Sequence, residues 1–249
     1  MEFDDIADSY VSQRARIPRD LVQWLLKAIE KLHSRTVAEV GCGPAYILQD
    51  FSNHAAKLIA IDVSYEMLAL VSHRLKTALT IQARGEALPL KDQSADLIVF
   101  CRSIHLMDHH LALREAVRIS SKAALISVIT EAPNEGKYTA AEFCPEISDL
   151  RAVSRRAYPT KPQLQEAAEQ AGLTLASFRS FEVTSTYTIT DYVNYHLLRP
   201  FSYSFGVSPT IWENLVSKLN FALRENLDTD GVTDRFIYNS YILTSRTSN

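Results

Sequence analysis

Two glycines separated by one residue, Gly41 and Gly43, directly follow an apolar segment that is typical of a β-strand and contains an acid, Glu39. The chain has only seven glycines, so two of them this close together indicate a turn that requires bare backbone. Glycine lets the main chain approach a ligand closely because it has no Cβ. A strand, a glycine turn and a helix in this order form the geometry in which backbone N–H groups meet a phosphate or a nucleotide.

A second acid lies where such a ligand would need it. The next apolar segment ends in Asp62, 21 residues after Gly41. A carboxylate at the end of the second strand can accept hydrogen bonds from both hydroxyls of a ribose. The glycine turn and this carboxylate therefore both indicate a ligand that contains adenosine.

Two kinds of cofactor compete for the turn. The dinucleotide pattern G-x-G-x-x-G requires glycine at position 46, where this chain has Tyr46. The shorter pattern E-x-G-x-G-x-A fits the acid and both glycines and ends at Ala45. The turn therefore argues against a dinucleotide cofactor and favours a cofactor that binds the shorter pattern.

This turn and the following segment IDVSYEML (61–68) resemble the class I S-adenosylmethionine-dependent methyltransferases. The closest resemblance is to the branch that contains the quinone-biosynthesis and biotin-pathway methyltransferases, and it extends over most of residues 1–130. GEALPLKDQSADLIVF (85–100) is similar to the family's segment before and within the fourth strand. CRSIHLMD (101–108) lies where members have a cofactor-lining turn, and YPTKPQLQEAAEQAGL (158–173) resembles the helix before the sixth strand.

The resemblance implies S-adenosyl-L-methionine as the cofactor and a set of residues that bind it. These cofactor-binding residues are Tyr10, Arg14, Glu39, Gly41, Cys42, Gly43, Asp62, Val63, Met67, Arg84, Gly85, Glu86 and Cys101. FDDIADSYVSQRARIP is similar to the family's N-terminal cap over the cofactor, to which Tyr10 and Arg14 would belong; simple surface packing is the alternative for both. Cys42 and Cys101 also fit the role of small apolar fillers.

Three places depart from the family pattern. One is SSKAA (120–124), where members have LKPGG before the fifth strand, so that turn must differ locally. Arg84 stands where members usually have Asp or Asn for the adenine amino group, and arginine cannot accept a hydrogen bond. The backbone around Gly85 and Glu86 would then make the adenine contact. Ala45 replaces a third glycine, which the turn tolerates if the backbone angles there are ordinary.

Methyl transfer requires little catalytic chemistry from a protein. The sulfonium is already a strong electrophile, so the protein has to align the acceptor for in-line displacement and exclude water. No metal is needed, and we predict none. A base helps where the acceptor is a hydroxyl or an acidic carbon, and His105 is the first candidate and His196 the second. His105 also fits a pocket-lining or capping role.

Aromatic residues crowd the segment from 187 to 205, which the implied fold places as an insertion between strands 6 and 7. A pocket lined by aromatic side chains suits an apolar or aromatic small molecule. We expect the substrate-binding residues to be Tyr192, Tyr195, Phe201 and Tyr203. Ordinary packing of a helical lid is the alternative.

The elements that must position these residues alternate in type. The apolar, strand-like segments up to residue 130 are 36–40, 57–62, 79–83, 95–100 and 123–130, and amphipathic segments separate them. Near-continuous apolar strands between helices are typical of a parallel sheet covered on both faces. We therefore predict an α/β fold with a doubly wound, mostly parallel seven-stranded sheet, helices on both faces and a helical lid between strands 6 and 7.

We expect residues 1–249 to form a single domain. Residues 1–17 would be the N-terminal cap, 18–130 the cofactor-binding core and 131–249 the substrate lid and last strands. The sequence has no repeat and no linker long enough to divide it. The predicted helices include 18–33 and 45–54, and Ser64 is the expected N-cap of the next one.

Composition excludes several other classes of protein. A net charge of −3, from 26 basic and 29 acidic residues, argues against sequence-independent binding of nucleic acid. The longest apolar runs are far shorter than the roughly 20 residues of a membrane span. The N-terminus is too acidic for a secretory signal, and the three cysteines lack CxxC spacing, so we expect a cytoplasmic protein.

The sequence thus predicts transfer of a methyl group to a small, apolar or aromatic molecule, with the acceptor atom and the oligomeric state left open. The alternative is a relative of this fold that binds the cofactor without transferring its methyl group, as a regulator or a cyclase-type enzyme. A nicotinamide dehydrogenase is disfavoured by Tyr46 and by the missing substrate domain.

Overall fold

The computed structural model describes residues 17–30, 35–131, 139–153, 158–198, 204, 206–229 and 231–245. Its helices are α1 (Arg19–Ile29), α2 (Tyr46–Asp50), α3 (Tyr65–Arg74), α4 (His109–Ile119), α5 (Thr139–Phe143), α6 (Pro145–Val153), α7 (Lys161–Gln170), α8 (Ile189–Leu197) and α9 (Pro209–Asn226). Its strands are β1 (Thr36–Val40), β2 (Lys57–Asp62), β3 (Ala78–Gln82), β4 (Ala95–Cys101), β5 (Ser120–Glu131), β6 (Leu173–Thr188) and β7 (Gly231–Ser245). A short 3-10 turn, Ile104–Leu106, follows β4.

The strands form one seven-stranded sheet in the order β3-β2-β1-β4-β5-β7-β6. Strands β1 to β5 are parallel, and β7 runs antiparallel to both of its neighbours, β5 and β6. The sheet confirms the predicted fold class. The chain changes direction across the sheet between β1 and β4, and open α/β sheets bind their ligands at the carboxyl ends of the strands beside such a point.

Helices cover both faces because the central strands are apolar on both sides. Every residue of β1 is buried, as is nearly all of β4. Residues of α1, α2 and α3 pack into the apolar cluster on one face, and residues of α4 and α7 pack into the cluster on the other. Because the central strands are packed on both faces, their carboxyl ends and the loops that follow them are held in place.

Side-chain caps set the starts of several helices. The Ser64 hydroxyl accepts a hydrogen bond from the Met67 N–H at 3.2 Å, which confirms the predicted N-cap of α3. The carboxylate of Asp108 caps α4 in the same way, and Thr160 forms a capping box with Gln163 at the start of α7.

Some predicted boundaries were wrong. The helix expected over 45–54 is the shorter α2, and the helix expected over 18–33 ends at Ile29, with 31–34 outside the described residues. The fifth strand begins at Ser120 rather than at 123, because α4 leads directly into β5 and Ser120 pairs with Ala95.

Strands β6 and β7 continue as a two-stranded ribbon beyond the carboxyl end of β5. The pairing of β5 with β7 stops at Glu131 and Tyr238, whereas β6 and β7 remain paired as far as Thr188 and Gly231. The inserted helices α8 and α9 leave from this end of the ribbon and pack with α5 in an apolar cluster of their own. The predicted insertion between strands 6 and 7 is therefore confirmed.

A buried hydrogen-bond network fastens the insertion to the ribbon. The Tyr192 hydroxyl of α8 donates to Asp234 Oδ2 of β7 at 2.8 Å and accepts from the Ala140 N–H of α5 at 2.9 Å. The other carboxylate oxygen, Oδ1, accepts from the Thr139 N–H at 2.7 Å. One buried carboxylate thus links α5, α8 and β7.

Candidate functional site

A cavity of about 410 Å³ opens at the carboxyl ends of β1, β2 and β4. Its volume lies within the usual range for small-molecule and cofactor sites. The residues predicted to bind cofactor that line it are Glu39, Gly41, Cys42, Gly43, Asp62, Val63, Met67, Arg84, Gly85, Glu86 and Cys101. The structure therefore brings all the described members of that set around one space, although Tyr10 and Arg14 lie outside the described residues.

The glycine turn forms one wall of the cavity. Gly41 and Gly43 both have left-handed backbone conformations, with φ of +66° and +50°. A Cβ on Gly41 would lie 2.5 Å from Ser103 Cβ, whereas one on Gly43 would have no atom within 4 Å. The first glycine is therefore required by close packing, and the second leaves open space beside the backbone.

Ala45 does not have the ordinary backbone angles that the sequence interpretation assumed. Its φ of 56° and ψ of 45° place it in the left-handed region, where a third glycine would be unstrained. A hydrogen bond from the Ala45 N–H to the Cys42 carbonyl, at 2.9 Å, closes the turn around this conformation. The turn therefore keeps the glycine geometry with an alanine in it.

Asp62 ties the end of β2 to the glycine turn. Its Oδ2 accepts a hydrogen bond from the Gly43 N–H at 2.7 Å, and its Oδ1 accepts one from the Ser64 N–H at 2.9 Å. Each carboxylate oxygen has two lone pairs and can accept more than one hydrogen bond. Asp62 thus shapes the cavity as well as facing it.

Glu39 is a buried carboxyl group behind the turn. Burial raises the pKa of Glu39 well above its usual range, and the neighbouring charge of Asp62 raises it further. The hydrogen bond that Oε2 accepts from the Leu48 N–H, at 3.2 Å, and the charge of Arg102 act in the opposite direction. Glu39 therefore holds a proton more readily than an ordinary glutamate and would ionise most easily beside a cation. Burial likewise raises the pKa of the Cys42 thiol, so this cysteine is not an activated thiolate.

The loop after β3 forms the opposite wall. The Arg84 guanidinium is exposed and makes a 3.4 Å ion pair with Glu86. Glu86 also accepts a hydrogen bond from the Asp108 N–H at 3.0 Å, which joins this loop to the start of α4. A Cβ on Gly85 would lie 2.5 Å from Met107 Sδ, so the loop packs closely against the turn after β4.

The sequence interpretation missed several residues that line the cavity. These are Ile17, Pro44, Tyr46, Ile47, Ala83, Arg102, Ser103, Leu106 and Met107. Ser103 is fixed by a 2.6 Å hydrogen bond from its hydroxyl to the Val40 carbonyl, and Arg102 is 8% exposed with a left-handed φ of 54°. Both directly follow β4, so their position after a central parallel strand is the signal that could have identified them.

Neither histidine predicted as a base is among the described residues that line the cavity. His105 lies in the 3-10 turn with its ring centroid 4.0 Å from that of Tyr158. His196 is buried in α8, where its Nδ1 lies 2.9 Å from the Tyr192 carbonyl oxygen. Burial lowers the pKa of His196 to about 4, so it is neutral near pH 7.

The residues predicted to bind substrate divide between two situations. Phe201 and Tyr203 lie outside the described residues. Tyr192 and Tyr195 are 0% and 3% exposed and pack inside the lid, and neither lines the cavity. Their placement matches the alternative of ordinary lid packing.

Residues 38–128 match the Methyltransferase domain family. This part of the chain is therefore similar to methyltransferase domains. One relative of this region is described as S-adenosylmethionine-dependent, and the residues around the cavity would fit that cofactor. The open space beside Gly43, the carboxylate at the end of β2 and the buried acid behind the turn meet in one cavity large enough for it.

Curated proteins are similar to part of this chain. Over 98 residues the chain is 34% identical to a probable S-adenosylmethionine-dependent methyltransferase of Mycobacterium tuberculosis, and the aligned part covers 39% of this chain and 36% of that protein. Among the first curated relatives that it matches, the chain spans about half of their length.

Two solved structures resemble the fold of most of this chain. YcgJ from Bacillus subtilis aligns with a TM-score of 0.62 at 16% identity, covering 92% of this chain and 100% of YcgJ. The 4+2 cyclase SpnF aligns with a TM-score of 0.60 at 13% identity, covering 94% of this chain and 84% of SpnF. At these identities the likeness shows the fold alone. Within the described residues, no helix combines the length and hydrophobicity required to cross a bilayer.

Proposed function

We propose that this chain transfers the methyl group of S-adenosylmethionine to a small, apolar or aromatic acceptor. One observation carries the proposal: the glycine turn after β1, Asp62 at the end of β2 and the residues after β4 surround a single cavity within the matched domain. The branch that contains the quinone- and biotin-pathway methyltransferases is the one we favour, on the motifs of residues 36–108.

Each part of the cavity has a role in this proposal. Asp62 accepts hydrogen bonds from the ribose hydroxyls while it holds the Gly43 N–H, so ligand binding and turn geometry depend on the same carboxylate. Glu39 faces the cationic end of the cofactor, where a nearby positive charge favours its ionised form. The backbone at Gly85 and Glu86 contacts the adenine, since Arg84 cannot accept a hydrogen bond.

The bound cofactor supplies an electrophilic methyl group on a sulfonium. The remaining work of the chain is to orient the acceptor and to keep water away. Apolar side chains such as Ile17, Leu106 and Met107 line the cavity and favour exclusion of water. If the acceptor must lose a proton, His105 is the candidate base, because it lies in the turn after β4 between Ser103 and Leu106, which line the cavity. His196, the second candidate from the sequence, is buried within α8 and does not line the cavity.

A second candidate function is cofactor binding without methyl transfer, as in a regulator or a cyclase-type enzyme. Two observations favour it. Arg84 replaces the usual acceptor for the adenine amino group, and neither of the predicted bases, His105 and His196, lines the cavity.

Two measurements test these proposals. Calorimetric titration with S-adenosylhomocysteine tests binding, with Asp62→Ala as the site variant and Asp228→Ala, at an exposed position after α9, as the matched control. Incubation with methyl-labelled cofactor and a panel of phenols, amines and carboxylic acids tests transfer. Absence of binding overturns both functions, and binding without label in any product supports the second.

A further inference from the structure

Arg102 is a buried cation at the end of the cavity that lies away from Asp62. It directly follows β4, lines the cavity and is only 8% exposed. Its backbone has a left-handed φ of 54°, held by a 2.9 Å hydrogen bond from its N–H to the Ile129 carbonyl. Such a conformation is strained for a residue with a Cβ, and strained residues of this kind concentrate at ligand sites.

The side chain of Arg102 extends toward the far strands of the sheet. Its Nη1 lies 3.5 Å from the Tyr238 hydroxyl, and its Cζ lies 5.8 Å from the centroid of that ring. Tyr238 belongs to β7 and pairs with Glu131 at the end of β5. Burial opposes the charge of the guanidinium, but Tyr238 and, to a smaller extent, Cys101, Tyr158 and Glu131 raise the pKa of Arg102, so it remains a cation.

The strand order separates this cation from the adenosine end of the cavity. Asp62 is on β2, on one side of the glycine turn of β1, whereas β4, β5 and β7 follow one another on the other side. A cofactor whose ribose is at Asp62 therefore has its reacting end toward β4. The guanidinium reaches from β4 to Tyr238 of β7, and its charge also acts on Glu39 at the end of β1, so it lies on the reacting side of the cavity.

On the basis of the proposed function, we propose that Arg102 binds a carboxylate of the methyl acceptor, so that the acceptor is an apolar carboxylic acid methylated elsewhere in the molecule. A guanidinium presents a rigid fork of N–H donors that matches the two oxygens of a carboxylate. Ile17 and Leu106 line the same cavity and give the rest of the acceptor an apolar environment. Tyr238 is the positioning residue that holds the guanidinium.

Binding of para-fluorobenzoate and of the uncharged para-fluorobenzamide tests this assignment. Fluorine NMR measures both affinities in the presence of saturating S-adenosylhomocysteine. We expect the wild-type protein to prefer the benzoate by about tenfold or more, since a hydrogen-bonded charge pair is lost with the amide. Arg102→Gln abolishes the preference, and Arg102→Lys retains part of it.

Arg235→Gln is the matched control. It removes the same charge from an exposed position on β7, outside the cavity, and keeps the preference. If Arg102→Gln does not fold, Tyr238→Phe replaces it, and the benzoate affinity, not the benzamide affinity, is expected to fall by about threefold or more. If the wild-type protein does not prefer the benzoate, the assignment is overturned. It is also overturned if neither Arg102→Gln nor Tyr238→Phe changes the preference.

A carboxylate also occurs on the cofactor, so a second arm separates the two sources. Methylthioadenosine lacks the amino-acid part of S-adenosylhomocysteine, and Arg102→Gln is expected to leave the ratio of their affinities within about twofold of wild type. If Arg102→Gln instead brings the affinities for S-adenosylhomocysteine and methylthioadenosine close to each other, Arg102 binds the carboxylate of the cofactor, and the acceptor role is overturned.

The outcomes also separate this inference from the proposed function. If S-adenosylhomocysteine does not bind, methyl transfer is wrong and there is no methyl acceptor, but the benzoate preference measured without it still tests whether Arg102 binds a carboxylate. If label is transferred equally well to carboxylic acids and to their amides, with Arg102→Gln unchanged, the proposed function stands and this inference is wrong.

Discussion

The glycine turn offers a matched pair of substitutions, Gly41→Ala and Gly43→Ala. The two glycines share a left-handed backbone, with φ of +66° and +50°, but their surroundings differ. A Cβ at Gly41 would lie 2.5 Å from Ser103 Cβ and 3.4 Å from Met107 Cε, whereas a Cβ at Gly43 would have nothing within 4 Å. The pair therefore separates backbone strain from close packing.

The expected loss of stability in each variant is the sum of the backbone strain and the overpacking. A left-handed conformation costs an L-residue about 1–2 kcal/mol, and this applies to both variants. Gly41→Ala adds overpacking against Ser103, which costs about 1–3 kcal/mol because the Ser103 hydroxyl is fixed on the Val40 carbonyl and cannot move away freely. We expect losses of about 2–5 kcal/mol for Gly41→Ala and about 1–2 kcal/mol for Gly43→Ala.

Thermal unfolding followed by circular dichroism measures the difference. In a chain of this size each kcal/mol lowers the Tm by about 2–4 °C, so the Tm of Gly41→Ala is expected to fall below that of Gly43→Ala by several degrees. Equal losses, or a Gly41→Ala variant as stable as wild type, would show that Ser103 is not a rigid wall and would refute the packing argument.

We expect the order of the two variants to reverse for cofactor affinity. When affinity is measured on the folded fraction of each variant, Gly43→Ala is expected to weaken binding more than Gly41→Ala. The Gly43 methyl group would enter open space beside the carboxylate of Asp62, where the cofactor is proposed to lie. Calorimetry with S-adenosylhomocysteine is expected to show at least about tenfold weaker binding to Gly43→Ala, the equivalent of about 1.4 kcal/mol. Wild-type affinity in this variant would mean that the ligand lies elsewhere.

Three further substitutions test the site and the lid. Asp62→Asn removes the charge and one acceptor oxygen, so the affinity for S-adenosylhomocysteine in calorimetry is expected to fall by about tenfold or more; an unchanged value contradicts the ribose role. Burial raises the pKa of Glu39, so the folded chain keeps a proton that the unfolded chain has released. The free energy of unfolding therefore falls as the pH rises from the ordinary to the raised pKa, and urea titrations of Glu39→Gln are expected to show a flatter dependence there. Tyr192→Phe leaves the buried Asp234 carboxylate without the tyrosine hydroxyl and is expected to lose about 2–3 kcal/mol in urea unfolding. Tyr65→Phe, at a side chain that is 65% exposed, is the control and is expected to change by less than about 0.5 kcal/mol.

The parallel core could be predicted from sequence because its strands are buried on both faces. A segment such as Thr36–Val40 is apolar at nearly every position, and the structure buries all of it. Helix ends were harder to predict, as the shortening of α2 to Tyr46–Asp50 shows. Hydrophobic periodicity does not mark the last turn of a helix that has no strong C-cap.

The cofactor side of the site could be predicted because its residues lie within continuous motifs. Gly41, Gly43 and Asp62 are read from two short segments, and parallel pairing of β1 with β2 brings those segments together. The contact between Arg102 and Tyr238 could not be predicted, because the two residues are 136 positions apart in the chain. No local pattern contains that contact.

The aromatic residues of the lid show a different limit. A cluster of tyrosines predicts an apolar environment but does not say whether the rings line a cavity or fill a core. In α8 the hydroxyl of Tyr192 meets Asp234 and the His196 ring packs against Tyr192 and Tyr195, so the side chains that the sequence marks face the interior of the lid. Only the three-dimensional arrangement of α5, α8 and β7 decides this.

The paired ribbon of β6 and β7 ends where Thr188 lies opposite Gly231, and the helices α8 and α9 of the lid are inserted between these two residues. Both points of attachment therefore sit side by side on adjacent strands. Replacement of the intervening segment by one of different length or shape would not alter the register of the sheet. Exchange of the segment between these residues could therefore change the lid while the strands that lead to Gly41, Gly43 and Asp62 stay the same.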